Sequence, residues 1–285
     1  MQNDKSKLKN ESERIFEQYL DQNGFQGKWT YEASIPGKIR KPDYLLNWKG
    51  EEHFLEVKEL RKKPNEPTWP AYFDPYSSVR SEINEARKKF KEYKGYSCSL
   101  VVFNIDDRQA RIDPITVFGA MLGNLGLKMD YDPNQGEVVV RSERNAFLNG
   151  GKMIDDKKGR LQNTTISSVI VLEEFRDDRE RERALIEEMR KQGRMFTVVE
   201  KLDMRMRLCE DHSVRNVPRV VVLENPYARV MFPGDLFNGA FDERWRWRED
   251  LNGKVERVFV GSKLIELETL KGSITKIGSE NQNAE

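Results

Sequence analysis

Residues 42–60 read PDYLLNWKGEEHFLEVKEL, and the fold turns on how this stretch pairs with itself. Asp43 to Trp48 is a strand-like run, Lys49-Gly50-Glu51-Glu52 is a polar turn, and His53 to Leu60 is a second strand-like run. Two such runs across a four-residue loop predict a β-hairpin. Closing that hairpin sets Asp43 opposite the segment from Glu56 to Lys58. Glu56 and Lys58 are two apart on one strand, so their side chains share a face. The stretch therefore predicts two carboxylates and one ammonium gathered at one end of a sheet.

Outward from the hairpin, Asn10 to Phe25 reads as an amphipathic helix, with Ile15, Phe16, Tyr19 and Leu20 at helical spacing and Asn23-Gly24 as its stop. Trp29 to Ile35 is a further strand. The segment from Arg61 to Ser78 holds four prolines together with Trp69, Tyr72, Phe73 and Tyr76, which predicts a loop whose aromatics pack it down or, as the alternative, stack on nucleic-acid bases. Val79 to Tyr93 is a helix with Val79, Ile83, Ala86 and Phe90 inward and Arg80, Arg87, Lys88, Lys89 and Lys91 on the other face. Ser97 to Ile105 is almost wholly apolar, as a central buried strand requires. Helix, strand, hairpin, helix, strand is the order of an α/β fold with a mixed sheet of four to five strands flanked by helices.

Beyond Asp106 the pattern predicts a helix over Pro114 to Leu122 and strands over Glu137 to Arg141, Ser167 to Leu172, Pro218 to Leu223 and Val255 to Val260. Phe175 to Lys191 reads as a heavily charged helix. No repeat or low-complexity linker divides the chain, so 1–277 reads as one domain with its core motifs in 10–105, an elaborated half over 106–277, and a disordered tail over 278–285.

Composition narrows the function. Forty-nine Lys and Arg stand against 48 Asp and Glu, which excludes a partner held by bulk positive charge and leaves room for a local basic groove. Two cysteines, Cys98 and Cys209, build neither a disulfide framework nor a zinc site and suit a reducing compartment. The opening MQNDKSKLKN has no apolar core to serve as a signal peptide. No run approaches the roughly 20 apolar residues of a membrane span. The chain reads as soluble and cytoplasmic, with no membrane partner. Only His53 and His212 are present, so histidine-ligated metal fingers and HExxH zinc chemistry are excluded, and both histidines read as structural.

What remains is carboxylates and lysines. Asp43, Glu56 and the backbone carbonyl of Val57 are hard oxygen donors suited to Mg²⁺, which keeps several waters and takes phosphate oxygens. A lysine beside them can orient or help deprotonate an attacking water while a metal stabilises charge developing on the phosphate. This donor set predicts metal-dependent phosphodiester hydrolysis.

These residues, Pro42-Asp43…Glu56-Val57-Lys58, resemble the signature of the PD-(D/E)XK nuclease superfamily, which includes restriction endonucleases and Holliday-junction resolvases. The resemblance covers roughly residues 10 to 105. It implies a restriction-endonuclease-like fold, Asp43 and Glu56 as metal ligands, Lys58 as the catalytic lysine, and Mg²⁺ as cofactor with Mn²⁺ able to substitute. It further implies DNA ahead of RNA as substrate and 5′-phosphate products. In many members a preceding helix adds a carboxylate; Glu13 matches that position, with Glu17 as competitor. In some members the following helix supplies a polar residue near the scissile phosphate, often Gln or Lys, and Arg80, Arg87 and Lys88 are the candidates. One such site cuts both strands of a duplex only by a second turnover or as a homodimer.

Plainer readings stand beside these. Asp43 after proline also suits a strand start, and Glu56 between Leu55 and Val57 needs a partner that Lys58 alone would supply. The same fold without cleavage would make a module that binds nucleic acid or a protein. Asp242 to Asp250 (DERWRWRED) reads as a half-buried helix, or else as a surface for nucleic acid or a partner chain. Asp130-x-Asp132-x-Asn134 falls short of a calcium loop, because Gly136 is one place late and Arg141 replaces the closing Glu. It reads as a turn, as does Gly150-Gly151-Lys152.

Overall fold

In the computed structural model, helix α1 (Glu11–Gln22) leads into strand β1 (Trp29–Tyr31), the hairpin β2 (Tyr44–Trp48) and β3 (Glu51–Leu60), helix α2 (Ser77–Phe90) and strand β4 (Ser97–Asn104). The second half adds α3 (Pro114–Leu122), β5 (Gly123–Tyr131), β6 (Val140–Gly150), β7 (Ile154–Asp155), β8 (Arg160–Leu161), β9 (Ser168–Arg176), β10 (Asn216–Glu224), β11 (Glu243–Arg248) and β12 (Lys254–Val260). The structure describes residues 9–61, 74–105, 107, 112–131, 140–155, 160–176, 191, 216–248 and 254–265.

The hairpin is tighter than its sequence suggests. Trp48 pairs directly with Glu51, leaving Lys49 and Gly50 as the loop. Both take positive φ, 51° and 85°, which matches the loop twist to that of the strands and lets pairing run to the end. Glu51 and Glu52 therefore belong to β3, and His53 lies buried inside the strand.

One sheet of eight strands runs in the order β1-β2-β3-β4-β9-β10-β11-β12. Pairings β3/β4, β4/β9 and β10/β11 are parallel, and the others are antiparallel. The expected four to five strands undercount it, because the strands of the second half add straight onto β4. That strand, SCSLVVFN, has a parallel neighbour on each side and is buried at every residue but the last, which explains its unbroken apolar run.

Alternation along each strand sorts the core into two layers. Phe54, Leu100, Val102, Val169, Val171 and Val221 pack under Val79, Ile83, Ala86 and Phe90 of α2 and Val117 and Phe118 of α3. Leu55, Val57, Val101, Ile170, Val220 and Val222 face Ile15, Phe16, Tyr19 and Leu20 of α1, and the loop residues Phe232, Leu236 and Phe237. Each fully buried Leu or Phe contributes about 1.5–3 kcal/mol. On β3, then, even-numbered residues face α2 and odd-numbered residues face α1.

Within the segment expected to be a half-buried helix, Glu243–Arg248 forms a strand: β11 alternates Arg and Trp with period two. Trp245 and Trp247 go to the α2–α3 layer. Arg244 goes to the other layer, where it is buried and stacks over Phe232 at 5.3 Å. Its Nη1 donates to the Pro233 carbonyl at 2.8 Å and its Nη2 to the Leu236 carbonyl. Asp242, just before β11, is buried and accepts the Tyr19 hydroxyl at 2.6 Å, the Val220 N–H at 3.0 Å and the Gly239 N–H at 2.6 Å. The first helix is thus fastened to the last third of the chain.

Of the remaining expectations, α3 has the bounds read from the sequence, β10 and β12 extend slightly beyond theirs, and β9 starts one residue later than expected and runs on to Arg176. Phe175 lies in β9, which ends at Arg176, instead of opening a helix; most of that segment, like Trp69, Tyr72, Phe73, Asp132, Asn134, Gly136, Glu137, His212, Cys209 and the tail from Gly278, lies outside the described residues. Of the expected turn Gly150-Gly151-Lys152, Gly150 closes β6, Gly151 follows it and Lys152 lies in a bend. A Cβ on Gly151 would come within 2.3 Å of the Leu122 backbone, so the close approach requires glycine. Among the described residues no helix is long and apolar enough to cross a membrane.

Candidate active site

The site forms where β3 outruns its partner. The last β2–β3 pair is Tyr44 with Leu55, so from Glu56 onward β3 has no β2 residue opposite it. Asp43, immediately before β2, fills that gap: its Oδ2 accepts the Val57 N–H at 2.9 Å. The carbonyl of Val57 leaves the strand on the same edge as that N–H. Glu56 and Lys58, being even-numbered, point to the α2 side of the sheet.

There the charges interlock. Glu56, 1% exposed, accepts Lys58 Nζ on Oε1 at 2.7 Å and Lys89 Nζ on Oε2 at 2.6 Å. The same Lys89 Nζ reaches Asp43 Oδ1 at 2.9 Å. Two carboxylates and two ammonium groups thus balance in one cluster. Burial pushes the Glu56 carboxyl above its ordinary value, the Asp43 charge adds to the rise, and the two lysines oppose it. Burial alone would push the Lys89 ammonium down. The hydrogen bond to Glu56 and the charges of Glu56 and Asp43 outweigh that, and the net direction is up.

Asp43, Glu56 and Lys58 are therefore brought together, and the other candidates are not. Glu13 lies on α1, which packs on the opposite layer of the sheet. Its carboxylate closes a capping box with Asn10 N–H at 2.8 Å and accepts the Tyr31 hydroxyl at 3.1 Å. The Glu17 carboxylate accepts the Tyr44 hydroxyl at 3.0 Å and Lys9 at 2.5 Å. Arg80 is occupied elsewhere. It donates to Asn124 Oδ1 at 2.7 Å and to the Gly119 carbonyl at 3.2 Å, and it stacks on Tyr76, fastening α2 to α3 and the start of β5. Arg87 and Lys88 line a cavity at the C-terminal end of α2.

Lys89, one residue beyond Lys88, is the helix residue that reaches the cluster. A helical wheel separates them. At about 100° per residue, Lys88 falls opposite the stripe of Val79, Ile83, Ala86 and Phe90, while Lys89 and Arg87 fall on its two flanks. Only a flank residue can lean over the sheet surface. His53 faces the other layer, buried, with neither ring nitrogen hydrogen-bonded among the described residues.

Among the described residues no group of three or more His, Cys, Asp or Glu is placed to hold a metal. The donor set nonetheless fits Mg²⁺. Asp43 Oδ1 and Glu56 Oε2 already converge on a single cation, the Lys89 ammonium, and Mg²⁺ takes one or two carboxylates and completes its shell with water and phosphate oxygens. No protein-family model, curated protein or solved structure matches this chain.

Proposed function

We propose that the chain is a Mg²⁺-dependent nuclease of the PD-(D/E)XK type, acting on DNA ahead of RNA. The observation that carries the reading is the convergence of Asp43 and Glu56, thirteen positions apart in sequence, on one cation, with Lys58 attached to the same carboxylate. Asp43 and Glu56 would hold the metal, with the Val57 carbonyl on the same strand edge. Bound there, Mg²⁺ supplies charge stabilisation for the phosphate. Lys58, 30% exposed, faces solvent from a fixed anchor and holds the attacking water in line. Lys89 would supply a second positive charge beside the phosphate. Water adds across the P–O3′ bond, leaving a 5′-phosphate and a 3′-hydroxyl.

A second reading has its own support. The cluster is already charge-balanced by two lysines, so it needs no metal to be satisfied, as suits a nuclease-fold module that binds nucleic acid or a protein without cutting. Supercoiled, linear and single-stranded DNA incubated with Mg²⁺, Mn²⁺ or EDTA separates the two. The nuclease gives metal-dependent cleavage that Asp43→Ala and Glu56→Ala both abolish. Folded wild-type protein that cuts no DNA or RNA under any metal leaves the binding module in its place.

A further inference from the structure

Resting on that reading, we infer that the cavity at the C-terminal end of α2 holds a second phosphodiester of the same nucleic-acid strand. The cavity has a volume of about 250 Å³ and is lined by Arg40, Arg87, Lys88, Lys91 and Glu92. At about 30 Å³ per water, it has room for a phosphate group and several waters.

Its charge exceeds what the fold consumes. The carbonyls at this helix end are already answered: Lys88 O accepts Arg40 Nη1, Glu92 O accepts Lys38 Nζ at 2.6 Å, and Arg87 O accepts the Lys91 N–H at 3.1 Å. Glu92 Oε2, the one acidic group of the lining, takes the Ile39 N–H at 3.0 Å. Lys88 pairs with Glu85 at 2.6 Å. The side chains of Arg87 and Lys91 have no hydrogen-bond or ion-pair partner among the described residues. They stand four apart on one helix face, where like charges repel. An anion between them turns that repulsion into attraction, and a guanidinium beside an ammonium suits a phosphate's spread of oxygens.

Position selects the phosphate's source. Arg40 precedes Asp43 by three residues, and its Nη1 donates to the Lys88 carbonyl. Glu85 is held low first by its hydrogen bond to Lys88, and the charges of Lys58 and Arg40 also act on it. Arg40 of the cavity and Lys58 of the cluster thus both lie within reach of Glu85, which links the two basic regions across the exposed side of α2, although Arg87 and Lys91 stand on the flank away from Lys89. That continuity favours a polynucleotide over an acidic peptide.

The test is fluorescence anisotropy of labelled single- and double-stranded oligonucleotides in EDTA across a NaCl series. It compares wild type, Arg87→Glu with Lys91→Glu, Arg87→Gln with Lys91→Gln, and a control Arg14→Glu on exposed α1 surface, all matched for melting temperature. The expected result is at least tenfold weaker binding for the Glu pair, a smaller loss for the Gln pair, and no change for the control. The slope of log affinity against log salt should flatten by about 0.7–0.9 for one lost phosphate contact. Unchanged affinity and slope in both pairs overturn the inference; if wild type still cleaves with Mg²⁺, the nuclease reading survives that outcome. Weakened binding without cleavage by any preparation keeps the phosphate site and removes the nuclease. Polyglutamate competing as well as an oligonucleotide, or no oligonucleotide binding by wild type, also overturns it.

Discussion

Lys89 Nζ stands 2.6 Å from Glu56 Oε2, so the helix after the hairpin reaches back to neutralise the carboxylate at its centre. Glu56 is nearly inaccessible, and an unpaired buried carboxylate costs several kcal/mol. Because the same ammonium also serves Asp43, it occupies the point where a divalent cation would be held. On the proposed reading, lysine and metal compete for one place. Lys89→Met should lower stability in EDTA by about 1–3 kcal/mol, the low end reflecting its partial exposure. Mn²⁺ should restore most of that loss and bind the variant more tightly than wild type, as read by calorimetry. A loss that Mn²⁺ leaves untouched would count against a metal at this site.

Lys58 holds the same carboxylate from the solvent side at 2.7 Å. Lys58→Ala should leave fold and Mn²⁺ binding intact, because Lys89 still pairs with Glu56. Cleavage should fall by about 10²–10⁴, the range for loss of a group that positions or deprotonates water. Single-turnover rates with saturating metal measure this, and wild-type activity in the variant would sink the assigned role.

His53 gives a pH test independent of the site. Burial lowers its pKa from the ordinary 6.5, against a smaller upward pull from Glu51 and Asp235. The folded state then binds fewer protons than the unfolded one between the lowered value and 6.5. Stability rises with pH through that window and is lost as pH falls through it. Glu56, whose pKa is raised, contributes the opposite slope just above its ordinary 4.5, so the comparison must be between variants. His53→Leu should remove the loss below pH 6.5. It should also stabilise the protein at neutral pH by about 1–3 kcal/mol, because both orphaned ring nitrogens disappear. Denaturant midpoints at pH 5.5 and 7.5 decide it: an unchanged difference between them would mean that another group titrates there.

Tyr19 and Asp242 make the longest-range tie described, a 2.6 Å hydrogen bond between residues 223 positions apart. Burial raises both groups, first among the causes for each. Tyr19→Phe keeps the ring packing and removes one of three donors to a buried carboxylate, so about 1.5–3 kcal/mol should be lost. Tyr19→Phe combined with Asp242→Asn should lose less than the sum of the two single variants, as coupled partners do.

The hairpin and its cluster are legible because they rest on short-range rules. Strand period two puts Glu56 and Lys58 together, and a turn sets the register that brings Asp43 to Val57. Lys89 is harder to see because it stands among four other cations on one helix, and choosing among them depends on which flank leans over β3. Glu13 suits a ligand by its place in a charged first turn, yet the same residue type three after Asn10 is also half of a capping box, and the cap prevails. The width of the sheet is illegible locally. Pairing of β4 with β9 joins Ser99 to Ser168, a separation that no window of a dozen residues samples. The arginine-tryptophan strand misleads for a related reason: its period of two is in the sequence, but the buried partners that accept Arg244, at Pro233 and Leu236, lie in a loop before it.

That β4–β9 seam limits how the protein can be cut down. Residues 10–105 hold every group of the carboxylate–lysine cluster, and on sequence grounds a minimal unit would end there. Such a fragment would bare the whole backbone edge from Ser99 to Phe103, along with Val101 and Phe103 on one side and Leu100 and Val102 on the other. A flat, uncharged, hydrophobic edge of that kind recruits further strands and aggregates. The second half is a sheath for the first, and an expressible unit has to run on to β12.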